Sequence, residues 1–196
     1  MSGVERLPDA LLLAGIEIYE GILTEEHEIR QFLRRAVETV SLLSEANRFA
    51  RAPIILSGAG SAWYDVVADE FSKAHVTSPM DIVLRPGCYL THDVGLYKTA
   101  QEQIRIRNVI ARQTLTGLLP ALQVWAYVQS IPEHDQAIIG LGKRDASFDL
   151  GLPQPALHFR PGRQAPSASP SHWAMTVMMD QHAYLKIRED DDLRVG

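Results

Sequence analysis

The sequence predicts an α/β fold in its first half and a β-rich fold in its second. Three observations carry this. Aliphatic runs at Leu11–Tyr19, Ile54–Leu56 and Ile82–Leu84 alternate with stretches of helical spacing, and such βα repetition builds a parallel sheet or barrel. Beyond Pro120 the pattern becomes the single alternation of strands. Gly140, Gly142, Gly151, Pro153 and Pro155 then interrupt any regular element around Lys143–Leu150.

Composition sets the outer limits. The chain has 196 residues, 46% hydrophobic and 22% charged, which suits one globular domain, or one and part of another. Its net charge is -5, and no basic stripe interleaves with aromatics, so nucleic acid is not an expected partner. A single cysteine, Cys88, excludes an intrachain disulfide framework and fits a reducing compartment. Met1 to Asp9 lack the basic and apolar regions of a signal peptide, and no apolar run approaches the roughly 20 residues of a membrane helix. A soluble, cytoplasmic protein is expected, with no membrane partner.

Taken in order, Leu11–Tyr19 reads as a strand buried on both faces, bounded by Asp9 and Gly21. Thr24 offers a helix N-cap, and Glu25, Glu26 and Glu28 place acid in the first turn, where the helix dipole favours it. Ile29, Phe32, Leu33, Ala36, Val37, Val40, Leu43 and Ala46 keep helical spacing to about Ala50, with Arg30, Arg34, Arg35 and Glu38 on a solvated face. Pro53 ends that segment and Ile54–Leu56 forms a second buried strand. Ser57-Gly-Ala-Gly-Ser61 leads from it into a helix over Ala62–Phe71. Strand, glycine turn and helix start together aim backbone N–H groups at an anion. A plain tight turn fits the same residues, since no P-loop lysine follows and the spacing is not the dinucleotide fingerprint.

Ile82–Leu84 is a third buried strand, or an edge strand, opening into a loop with Arg85, Tyr89, Thr91, His92 and Asp93 after the Pro86-Gly87 bend. Polar loops at the carboxyl ends of strands are where α/β folds present chemistry. A helix from about Thr99 to Gln113 follows, with Ile104, Val109 and Ile110 on its apolar side. Leu122–Ser130 and Ala137–Leu141 read as strands about the turn Pro132–Asp135. Pro161–Ser171 is a loop or linker, and Trp173–Met179 with His182–Ile187 forms a hairpin turning at Asp180-Gln181.

Several of these stretches occur together in one family. The segments Gly15–Gly21, Ser57–Ser61, Arg85–Asp93, Gly140–Pro153 and Asp180–Leu185 resemble, in order, the D-threonine aldolase and D-serine dehydratase (D-amino acid deaminase) family of pyridoxal-phosphate enzymes with the alanine racemase fold type. The resemblance implies that residues 1–118 are the last part of a (β/α)8 barrel and that 119–196 begin a D-serine dehydratase-like β-domain, incomplete at its carboxyl end. It places Ser57, Gly58, Ala59, Gly60 and Ser61 around the cofactor phosphate, with Tyr89 and Tyr19 near the cofactor. It sets His182 beside the metal-bearing part of the β-domain, although a lone histidine is more often simply packed or solvated. Lys143 and Arg144 fall in a β-domain turn and take no catalytic role.

Two absences qualify the resemblance. The family's Schiff-base lysine lies on the first barrel strand, and Lys73, Lys98, Lys143 and Lys186 match none of that motif. The family's metal pair, a histidine followed two residues later by cysteine or aspartate, would come after Gly196. The chain therefore reads as a fragment with no catalytic residue of its own. Its parent is expected to be a lyase using pyridoxal 5'-phosphate and a divalent metal, zinc, on small D-β-hydroxy amino acids, and to form a homodimer. Gln181-His182-Ala183-Tyr184 leans to the deaminase, with retro-aldol cleavage as the alternative. A phosphate-binding remnant without catalysis, or a truncated product, are the readings outside enzymology.

Overall fold

Gly15 brings the first two strands of the protein together. A Cβ there would lie 1.9 Å from the carbonyl oxygen of Ile55, so only glycine admits this approach. In the computed structural model, which describes residues 10–114 and 117–196, strand β1 (Gly15–Glu17) runs parallel to β2 (Ile54–Gly58), and β2 parallel to β3 (Met80–Leu84). The order in the sheet is β1-β2-β3. The expectation of a leaderless Met1–Asp9 lies outside the described residues.

Helix α1 (Glu26–Glu45) follows β1, and α2 (Tyr64–Phe71) follows β2. The apolar stripe of α1 buries Ile29, Leu33, Ala36 and Val40. Ile29, Leu33 and Val40 join Ile54 and Leu56 of β2 with Val66, Val67 and Phe71 of α2 in one core. Burial of such side chains contributes about 1.5–3 kcal/mol each before entropy is counted. Thr24 is not the cap of α1. Glu25 stands at that position, and its side chain makes no capping bond.

Sequence and structure part company at the edges of this sheet. Strand β1 spans only Gly15–Glu17, and Leu11 and Leu12 are exposed. In β3 Ile82, Val83 and Leu84 are all partly open to solvent. Among the described residues both strands have a neighbour on one side only, so aliphatic composition did not secure burial. The helix expected to Gln113 is two: α3 (Leu96–Arg107) and α4 (Val109–Thr114) meet at Asn108. Of its expected apolar face Ile104 is buried, while Val109 and Ile110 are exposed.

These elements form one compact unit, running to His92 and resuming from Tyr97 to Leu119; Asp93–Leu96 and Pro120–Gly196 form a second. In the second unit β4 (Val128–Glu133), β5 (Gln136–Ile139), β8 (Ala174–Met178) and β9 (Ala183–Lys186) make an antiparallel sheet in the order β4-β5-β9-β8. Residues 121–127 are irregular, so the strand expected at Leu122–Ser130 begins only at Val128. The β8–β9 hairpin turns at Asp180-Gln181 as expected. The loop Pro161–Ser171 includes one half of a short ladder, β6 (Leu157–His158) with β7 (Ser167–Ala168). No helix among the described residues is long and apolar enough to cross a membrane.

Candidate functional site

The carboxyl ends of the three parallel strands are tied together by one side chain. Arg85, the residue after β3, donates from Nε to Ser57 Oγ at 2.8 Å and from Nη2 to the carbonyl of Ile18 at 3.1 Å. It also pairs with the Glu17 carboxylate. The backbone repeats the tie: Ile18 N–H donates to Ser57 O at 2.9 Å and Arg85 N–H to Gly58 O at 3.0 Å. Polar groups from all three strand ends are thereby held in one place.

Beside Arg85 lies the glycine turn. Ala59 adopts a left-handed φ of 77°, which folds the chain back at the end of β2. Glu20, fully buried, accepts the N–H of Gly60 through Oε1 at 2.6 Å. A Cβ at Gly60 would stand 3.2 Å from Tyr19 Cε2 and 3.3 Å from Glu20 Oε1. Tyr19 and Glu20 thus wall the turn on one side. At Gly58 a Cβ would meet Ile18 and the Phe71 ring at 3.0–3.1 Å, so the floor is packed as well. Among the described residues no protein acceptor meets the N–H of Ser61 or Ala62. They precede α2, whose dipole adds partial positive charge.

Of the residues expected from the sequence, Tyr19 and Ser57–Ser61 come together here, with the Tyr19 ring 57% exposed. Tyr89 sits on a 3-10 turn, Gly87–Tyr89, and meets Tyr64 edge to face with ring centroids 5.9 Å apart. Both tyrosines line a cavity of about 10 Å³ shared with Ser61, Cys88, His92 and Gln101. Tyr64 donates to Gln101 Oε1 at 3.2 Å. Burial and the neighbouring Asp65 carboxylate push its phenol pKa up, so it stays a donor. His182 lies in the second unit before β9, its ring 5.7 Å from that of Tyr184. No group of three or more His, Cys, Asp or Glu among the described residues could hold a metal ion.

Sequence reading passed over Glu20 and took Arg85 and His92 only as members of a polar loop. The available signal was position: a charged residue within a few places of the end of an aliphatic strand has no reason to be there unless something at the strand end uses it. Lys143 and Arg144 stand exposed after β5, where Lys143 Nζ lies 5.1 Å from the Phe148 ring centroid.

Comparison with known proteins bears on both units. Residues 121–196 match the family model described as "Putative serine dehydratase domain". A comparison with curated proteins gives no match. Among solved structures the chain is similar to D-threonine aldolase from Filomicrobium marinum, at 19% identity and a TM-score of 0.52, over 88% of this chain and 39% of that one. The chain therefore spans about two fifths of the length of that enzyme. The sequence match supports the serine dehydratase family for residues 121–196, and the likeness to the solved structure shows a shared fold across the chain.

Proposed function

We propose that this chain is part of a pyridoxal-phosphate lyase of the D-serine dehydratase kind, acting on small D-β-hydroxy amino acids. In this reading the first unit is the closing part of a (β/α)8 barrel and the second an incomplete β-domain. The observation that carries it is the turn Ser57–Ser61 at the end of β2, with N–H groups at Ser61 and Ala62 that no acceptor among the described residues engages, ahead of a helix. That donor set fits a phosphate. Ser61 and Ala62 would hold it, while Gly60, whose N–H is committed to Glu20, would hold the turn in shape. Pyridoxal phosphate, when bound, supplies an electron sink for a substrate carbanion.

The chain's own residues orient and enclose. Tyr19 and Tyr89 offer aromatic faces and hydroxyls beside the turn, and Arg85 fixes the strand ends. None of the lysines is a candidate for covalent attachment of the cofactor. Lys73 is engaged with Asp69 and Glu70 at 3.0 and 3.2 Å, and Lys98 lies exposed on α3. Turnover therefore needs a lysine, and a divalent metal such as zinc, from polypeptide other than these residues. Retro-aldol cleavage, as the similar solved enzyme is named for, is the second reading. A whole enzyme paired as a homodimer belongs to the same proposal.

The test compares pyridoxal phosphate with pyridoxal, which lacks the phosphate. Binding followed by cofactor absorbance should be at least tenfold tighter for the phosphorylated form, and Gly60→Leu should remove most of that difference. Equal affinity for the two forms in the wild type would place phosphate recognition elsewhere. Mass spectrometry after borohydride treatment should find no cofactor-sized adduct on Lys73, Lys98, Lys143 or Lys186, and no turnover of D-serine or D-threonine by this chain alone.

A further inference from the structure

His92 is the residue of the first unit that its surroundings satisfy least. It is only 8% exposed, and both ring nitrogens are sealed from solvent with no hydrogen-bond partner among the described residues. Its backbone is also unusual, with a left-handed φ of 53°. A neutral imidazole carries one donor and one acceptor, and leaving either buried and unmade is destabilising. A non-glycine residue held at positive φ adds backbone strain. Two costs at one residue ask for something that repays them.

What the ring faces is the small cavity, and the other soft donor on its wall is Cys88. His92 N–H donates to Cys88 O at 2.8 Å, which closes the short turn between them, and both side chains line the cavity. The thiol and the ring make no hydrogen bond to each other, and the gap lies in a space of about 10 Å³. That is room for one occupant the size of a water molecule or a bare cation. Oxygen donors surround it: Ser61 Oγ, already accepting from Cys88 N–H at 3.0 Å, and Gln101 Oε1, accepting from Tyr64. Each keeps a lone pair.

We propose that Cys88 and His92 form a binding site for a single soft d10 cation, Zn2+ or Cu+, held by the thiolate and one imidazole nitrogen. Thiolate and imidazole are the ligand types these ions share. Binding releases the thiol proton to solvent and forms a metal–sulfur and a metal–nitrogen bond, with no change of oxidation state. The remaining ring nitrogen, as N–H, is left toward the hydroxyls of the cavity wall. The site does not depend on the cofactor reading above.

Titration of the chain, free of pyridoxal phosphate, with Co2+ as a stand-in for Zn2+ tests this. One equivalent should raise a near-ultraviolet sulfur-to-cobalt band, and excess Zn2+ should bleach it; Cu+ delivered under a competing chelator forms the separate arm. Native mass spectrometry should count one metal per chain. Cys88→Ser and His92→Gln should each weaken binding at least tenfold while keeping the wild-type circular dichroism spectrum, and His134→Gln should bind as wild type. If either variant fails to fold, protection of Cys88 from alkylation by one equivalent of Zn2+ in the wild type gives the same reading. Absence of the sulfur band together with unprotected Cys88, or equal binding by all variants, overturns the site and leaves a water as the occupant.

Discussion

The two units bury carboxylates in different ways. In the first, Glu70 on α2 is 2% exposed and is met by Arg30 at 2.8 Å, Arg34 at 3.2 Å and Lys73 at 3.2 Å. In the second, Asp191 accepts from His172 Nε2 at 2.8 Å, Trp173 Nε1 at 2.7 Å and the Arg188 N–H at 2.7 Å. Burial alone would raise both pKa values. The cations around Glu70 and the N–H donors around Asp191 outweigh it, and both lie below the ordinary carboxylate range. The first carboxylate clips two helices already joined by a large apolar core. The second organises a turn beside a core limited to Ala137, Trp173, Leu185, Ile187 and Leu193 with the residues packed on it. Where apolar area is ample a buried charge locks orientation, and where it is scarce the charge helps to make the structure.

That contrast can be broken first at Phe71. Phe71→Ala removes a fully buried ring from the centre of the first core and should cost about 3–5 kcal/mol. Hydrogen-exchange mass spectrometry should then show peptides across β1–α2 losing protection, with the β5, β8 and β9 peptides unchanged. Loss in both sets would show that the units fold as one.

Next in size is Glu70→Gln, which removes the buried charge shared by Arg30, Arg34 and Lys73 and leaves Arg30 with the more exposed Glu26 and Asp69. A loss of about 2–3 kcal/mol is expected by urea denaturation. The pH dependence has a definite sign. Because the folded pKa of Glu70 is depressed, its contribution is complete above the unfolded carboxylate pKa and is lost as pH falls through the folded value. The variant should therefore show a flatter stability curve in acid than the wild type, and parallel curves would remove Glu70 from the account.

Asp191→Asn should cost about 1–2 kcal/mol and act on the other unit. Exchange should rise in peptides holding Trp173 and Leu193, accompanied by a shift of tryptophan emission as Nε1 loses its charged acceptor. The smallest effect belongs to Thr24→Ala. A capping threonine would cost about 1 kcal/mol, but Glu25 stands at the cap position, and a change within about 0.5 kcal/mol is expected. A full capping loss would restore Thr24 to the role its sequence suggests.

Much of the architecture was legible because it rests on local pattern. Ile54–Leu56 lies in a strand with a paired neighbour on each side. The α1 stripe, spaced for one face, buried Ile29, Leu33, Ala36 and Val40. The β8–β9 turn at Asp180-Gln181 was bracketed by alternating residues. The strand–glycine turn–helix order of Ser57–Phe71 was visible for the same reason.

The sequence alone determined element types, their order and the chemistry available at each strand end, because periodicity and turn residues act over a few positions. Only the tertiary structure decided which apolar strands are buried: β2 is, and β3, equally aliphatic, is not, because burial requires neighbours on both sides. It also decided that Glu20 reaches Gly60 across 40 residues and that Arg85 reaches Ser57 across 28. Such pairings are made when parallel strands bring their ends level, and no spacing along the chain records them.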